Sequence, residues 1–193
     1  LWVQQGAGSR LKELIAQAQT HGARVKEQPR DLLDQLTQGA AHQGVVAFCP
    51  PLTPEGEESL WLKLRAWPSS TPPLLLILDG VTDVHNFGAC LRSADAAGAH
   101  GVIVAKDKAA PLNATVRKVA CGAAEVVPVY QVTNLARTLA KLKDAGVWIT
   151  GTAGEAEASV FDIDMTGPTA LVMGAEGKGM RRLTREACDN LAK

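Results

Sequence analysis

Five short segments from residue 74 onward are apolar along nearly their whole length: LLLILD at 74–79, GVIVA at 101–105, VVPVY at 126–130, VWITG at 147–151 and TALVMG at 169–174. None alternates apolar with polar residues, so none suits a strand with one face in water. Between them run helical patterns: NFGACLRSADAAG at 86–98, PLNATVRKVACGAA at 111–124 and the amphipathic TNLARTLAKLKDAG at 133–146. Buried strands alternating with helices and closed by glycines predict an α/β fold, a parallel sheet covered on both faces. Ligands of such sheets bind beyond the carboxyl ends of the strands. Asp79 to Asn86, Gly151/Thr152 and Gly174 to Gly179 all fall there.

The first part reads differently. SRLKELIAQAQT at 9–20 sets Leu11, Leu14, Ile15 and Ala18 on one helical stripe behind Ser9 as N-cap. A strand near Ala23 to Lys26, a helix opened by Pro29 and ended by Gly39, and a strand in HQGVVAF at 42–48 complete a small α/β unit with little core of its own. Pro50, Pro51 and Pro54, then WPSSTPP at 67–73, interrupt the pattern around a helical turn or two in EESLWLKLRAW. The organisation predicted is a unit at 1–49, a linker at 50–73 partly ordered by its tryptophans, and a larger domain at 74–193.

Twenty basic residues balance 20 acidic ones, so no global field favours a nucleic acid or a membrane. Local basic clusters stand at Lys106/Lys108, at Arg117/Lys118, and at Lys178, Arg181, Arg182 and Arg185. Singly, each reads as a solvated helix face. Cys49, Cys90, Cys121 and Cys188 form no Cys-x-x-Cys pair and have no histidine at ligand spacing. They read as buried free thiols rather than a metal site. With no apolar run of membrane-span length and no signal-peptide plan, the chain reads as cytoplasmic, and its opening LWVQQG, without Met, reads as the inside of an element.

The loop GAEGKG at 174–179 fails two nucleotide motifs. A dinucleotide fingerprint needs Gly-x-Gly-x-x-Gly after the first strand, and a phosphate loop needs Gly-Lys-Ser/Thr, whereas Lys178 precedes Gly179. That weakens the reading as a nucleotide-dependent oxidoreductase. Taken singly, Glu176 is a solvated turn residue, Asn86 a helix N-cap and Arg92 a surface arginine. Together at one sheet edge they form a polar constellation suited to a polyanion or a hydroxyl nucleophile.

LDGVTDVHNFGACLRSADAAGAHGVIV and LVMGAEGKGMRRLTREACD resemble the first and second motifs of the SpoU family of RNA 2'-O-ribose methyltransferases, and NATVRKVACGAAEVVPV and WITGTAGE match its spacing. The nearest resemblance is to the branch that methylates a guanosine in bacterial 23S ribosomal RNA, where a unit like ribosomal protein L30e precedes the catalytic domain. The resemblance implies a SPOUT-type sheet ending in a trefoil knot, a rare exception to unknotted topology, an S-adenosylmethionine cofactor, a homodimer and a target in the peptidyl-transferase P-loop. It implies Asn86, Arg92 and Glu176 as catalytic, and Gly151, Thr152, Gly174 and Gly177 as cofactor-binding, their missing Cβ atoms at the glycines admitting the ligand. Arg117, Lys118, Arg181 and Arg182 are the phosphate contacts it suggests. Val84 stands where the family usually has proline, and Lys193 precedes the Ser/Asn-rich third motif that completes the family's knot and pocket. A chain truly lacking that motif is expected to bind cofactor weakly or not at all. A transfer-RNA methyltransferase of the same family and a noncatalytic RNA-binding or ribosome-assembly protein remain open alternatives.

Overall fold

The computed structural model describes residues 1–6 and 8–193, with the backbone alone at Arg10. The chain divides into two units, 1–50 and 51–193.

In the first unit, β1 (Trp2–Gln4) lies between β2 (Lys26–Gln28), parallel to it, and β3 (Val45–Val46), antiparallel to it. Helices α1 (Ser9–Thr20) and α2 (Arg30–Leu36) fill the connections. Among its described residues the buried apolar side chains are Val3 and Leu33. The N-cap of α1 is Gly8 rather than Ser9, which falls inside the helix.

The second unit is one parallel sheet of seven strands. In chain order these are β4 (Glu55–Gly56), β5 (Leu74–Asp79), β6 (Gly101–Ala105), β7 (Val129–Val132), β8 (Trp148–Thr152), β9 (Thr169–Gly174) and β10 (Asn190–Ala192). Their order across the sheet is β10-β8-β9-β5-β6-β7-β4. The two-residue period of a strand divides β5 between two cores. Leu76 and Leu78 pack with Phe87 and Leu91 of α4 (Val84–Ala96) on one face, and Leu75 and Ile77 share the other face with residues from two further helices. Those helices are α3 (Glu57–Arg65), giving Leu60, and α7 (Leu135–Asp144), giving Leu139 and Leu142.

Three expectations need correction. The predicted linker 50–73 carries β4 and α3, and Leu60 is 1% exposed in the second core, so this segment extends the sheet. The single helix expected over 111–124 is two, α5 (Ala114–Val119) and α6 (Ala123–Val126), because Cys121 at φ 52° and Gly122 at φ 100° turn the backbone left-handed between them. The cysteines are not buried: Cys49 and Cys121 are exposed, Cys90 and Cys188 half-buried. Strand β10, too short and polar to stand out in the sequence, adds to the free side of β8. No described helix is long and apolar enough to cross a membrane.

Candidate active site

β5 and β9 lie side by side at the centre, with Asp79 in register with Gly174. From there β5 leads away through α4 to β6 on one side, while β8 lies beyond β9 on the other, so their carboxyl ends flank a topological switch point.

After β5 the chain turns left-handed at Gly80 and enters α4, whose N-cap is Asp83: its carboxylate accepts the Asn86 backbone N–H at 2.8 Å. Asn86 is therefore inside the first turn, not at the cap as expected, and its amide is free to reach across. Its Nδ2 donates to Glu176 Oε2 at 3.2 Å, joining the two motifs over 90 positions.

After β9, the loop closes on itself. Ala175 N–H donates to Gly179 O at 3.1 Å and Gly179 N–H to Ala175 O at 2.8 Å, with Gly177 at φ 74° making the reversal. Arg181 then returns to β5: its backbone N–H donates to Asp79 Oδ2 at 2.8 Å and its Nε to Oδ1 at 2.5 Å. Two clefts flank this loop. One, of about 830 Å³, is lined by Asp83, Asn86, Cys90, Lys108 and Glu176 among others; the second, of about 560 Å³, by Thr152, Glu155, Gly177, Arg185 and Lys193 among others. Gly174, Ala175, Lys178 and Gly179 line both. Both volumes suit small-molecule sites. Burial raises the Cys90 thiol, so this cysteine stays protonated and is a poor nucleophile.

At Gly174 and Gly151 the missing Cβ also admits the protein's own chain. A Cβ on Gly174 would stand 2.1 Å from the Gly179 carbonyl carbon, and one on Gly151 would stand 2.7 Å from both Cys188 Sγ and Met180 Cε. At both positions the space goes to the protein's own chain. Cys188, packed under Gly151, has its thiol pushed up to about 11, burial being the main cause. Thr152 and Gly177 do line the second cleft, and Thr152 Oγ1 donates to Val172 O at 3.2 Å.

Other expected residues stand apart. Arg92 is exposed on α4, six residues beyond Asn86, hence about 9 Å along the axis and about 120° round it. It lines neither cleft. Arg117 pairs with Glu125 at 2.5 Å, bracing α5 against α6, and Lys118 is exposed at the end of α5. Arg182 opens α8 (Arg182–Glu186) and pairs with exposed Glu186 at 2.8 Å. Arg181, expected to contact phosphate, has its Nε bonded to Asp79 while its side chain stays 47% exposed. Asp79, to which the motif reading gave no role, is the buried partner of Arg181, and its signal was the single charge ending the apolar run LLLILD.

Residues 1–55 match the description RNA 2'-O ribose methyltransferase substrate binding. Across 194 aligned residues, 100% of this chain and 77% of the relative, the chain is 57% identical to the 23S rRNA (guanosine-2'-O-)-methyltransferase RlmB of Pseudomonas aeruginosa. It is 55% identical to the protein of that name from Escherichia coli over 182 residues, 94% of this chain and 74% of the relative. Among solved structures, the SpoU methyltransferase AviRb of Streptomyces viridochromogenes in complex with AdoMet superposes with a TM-score of 0.72 at 24% identity, covering 99% of this chain and 71% of that one, a likeness of fold. Residues 73–193, holding the joined Asn86 and Glu176 and the clasped glycine loop, match the SpoU rRNA Methylase family, and to that family the chain belongs.

Proposed function

We propose that the protein methylates the 2'-hydroxyl of a guanosine ribose in bacterial 23S ribosomal RNA, in the peptidyl-transferase P-loop, using S-adenosylmethionine. The observation that carries this reading is the loop that lines both clefts, because direct transfer needs donor and acceptor to meet within about 3–3.5 Å with no protein between them, and the two clefts adjoin along Gly174, Ala175, Lys178 and Gly179. Identity along the whole chain with 23S rRNA guanosine methyltransferases supports the choice of substrate.

The second cleft takes the cofactor, with Thr152, Gly174 and Gly177 against it and Gly151 supporting the shared loop from behind. S-adenosylmethionine supplies a methyl group already activated on a sulfonium. The first cleft takes the ribose. Glu176, fixed through one oxygen by Asn86, offers the other to the 2'-hydroxyl and orients it. An arginine is too basic to act as a free base, so Arg92 binds phosphate beside the reacting ribose. Its exposed place outside its own cleft suits service to the partner subunit of a homodimer. Lys118 and Arg182 are exposed and, with Arg117, add phosphate contacts that position the RNA. The first unit acts as an L30e-like RNA-binding domain, the end of the catalytic domain is knotted, and the protein works in the cytoplasm.

The test is methyl transfer from labelled S-adenosylmethionine to unmodified 23S ribosomal RNA, with the modified ribose mapped, for the wild type, Arg92→Ala and Glu176→Gln. One 2'-O-methylguanosine, absent with either variant, is the expected outcome. Transfer to transfer RNA alone would replace the substrate. RNA binding without transfer would make the protein a noncatalytic RNA-binding factor.

A further inference from the structure

Among the described residues Asp79 is the one charged residue that is fully buried, with its side chain 0% exposed. A carboxylate withdrawn from water is costly unless it is well paired. Its two hydrogen bonds both come from Arg181, 102 positions away.

Arg181 sits at the exit of the loop that both clefts share. The loop's own bonds, between Ala175 and Gly179, close it as a hairpin, and Asn86 holds its tip through Glu176. At its entrance, Gly174 is anchored by the sheet in register with Asp79. At its exit, the Asp79 carboxylate is the anchor, so both ends of the loop meet at one residue pair on neighbouring strands. Immediately before Arg181, Met180 packs its sulfur and methyl against Gly151 on the cofactor side. A shift of Arg181 therefore moves the Met180 contact and the Glu176 side of the loop together.

We propose that Asp79 is a positioning residue of the transfer site: by clasping Arg181 it fixes the loop that both clefts share, and with it the alignment of methyl donor and ribose acceptor where the clefts adjoin. The inference rests on the reading of the two clefts given above. It also assigns Arg181 a task other than RNA contact, although its place in a run of basic residues suggests one. Such geometric control is steep, since a misplacement of about 1 Å costs a reaction of this kind about 10²-fold.

Asp79→Asn keeps the volume but turns an amide donor toward one of the two Arg181 donors. Arg181→Gln keeps the backbone bond and a side-chain donor while removing the charge, and serves if Asp79→Asn does not fold. For the full chain and each folded variant, three quantities are measured well below the melting temperature. These are the dissociation constant for S-adenosylmethionine, the single-turnover rate with both ligands saturating, and the salt slope of 23S ribosomal RNA binding. Expected for both variants is a turnover rate lower by about 10²-fold, weaker cofactor binding, and an unchanged salt slope. A merely structural role would lower the melting temperature and leave the saturated rate of folded protein at the wild-type value, which would overturn the proposal. A salt slope for Arg181→Gln reduced by about 1, with cofactor binding unaltered, would also overturn it, making Arg181 a phosphate contact. A wild type that binds S-adenosylmethionine but methylates no RNA would instead sink the reading of the clefts, whatever the variants do to cofactor affinity.

Discussion

Two acid–base pairs of nearly equal length hold the parallel sheet at its centre and at its outer edge. At the centre, Arg181 Nε lies 2.5 Å from Asp79 Oδ1, whose side chain is 0% exposed. At the edge, Lys63 Nζ lies 2.7 Å from Glu55 Oε1, with side chains 46% and 35% exposed. Water can stand in for either partner at the edge, and for the carboxylate at the centre it cannot. The central pair closes a loop 102 positions long, whereas the outer one joins β4 to α3 within eight positions, a segment that Leu60 already anchors. Equal distance thus carries unequal weight, and burial of the acid decides it.

The sharpest way to break this contrast is Arg181→Ala. It leaves Asp79 one backbone N–H and a buried, unbalanced charge, and the expected loss is about 3 kcal/mol, read as a lower urea midpoint at constant slope. A loss no larger than that of an exposed pair would erase the difference between centre and edge. Next comes Leu60→Ala, expected to cost about 2 kcal/mol, the low end for a buried leucine, since Trp61 and Leu64 beside it are only partly buried and can settle into the gap. Unaltered stability would mean that β4 and α3 contribute nothing to the second core and that 50–73 is a linker after all.

The sheet centre was the more legible region for the same physical reason. LLLILD and GVIVA are buried on both faces, and a strand so placed has no polar positions to obscure it. The outer edge was misread because the prolines at 50, 51 and 54 signal a break, and a two-residue strand has too few side chains to show any period. In the site, the Asn86–Glu176 bond follows motifs visible in sequence, but the Asp79–Arg181 clasp links residues whose local surroundings announce other things, a strand end and a basic run. At Gly151 and Gly174 the close approach of the protein's own chain was not legible, because what a missing Cβ makes room for depends on which segment returns over it.

At the edge, hydrogen bonds from Lys63 and Ser59 hold the Glu55 carboxyl below the usual carboxylate range. Because the folded value is depressed, the pair's stabilisation is present above the ordinary carboxylate value and disappears as the pH falls through the lower folded one. Glu55→Gln is expected to cost less than about 1 kcal/mol at neutral pH and to flatten the acid limb of stability against pH. A wild type and variant with parallel acid limbs would show that Glu55 titrates alike folded and unfolded.

The smallest effect on stability belongs to Arg182→Ala, and it sharpens the comparison most finely because the residue adjoins Arg181. Its partner Glu186 lies one helical turn away, and the two side chains are 75% and 55% exposed. Such a pair contributes about 0.2–0.5 kcal/mol, so the unfolding midpoint should barely move. An arginine this loosely held can exchange its carboxylate for an RNA phosphate at little cost, and the salt slope of RNA binding should fall by about 1 in Arg182→Ala. Neighbours in sequence would then divide cleanly, one arginine felt in stability and turnover and the other in salt dependence. If Arg182→Ala left the slope unchanged, α8 would not face the RNA.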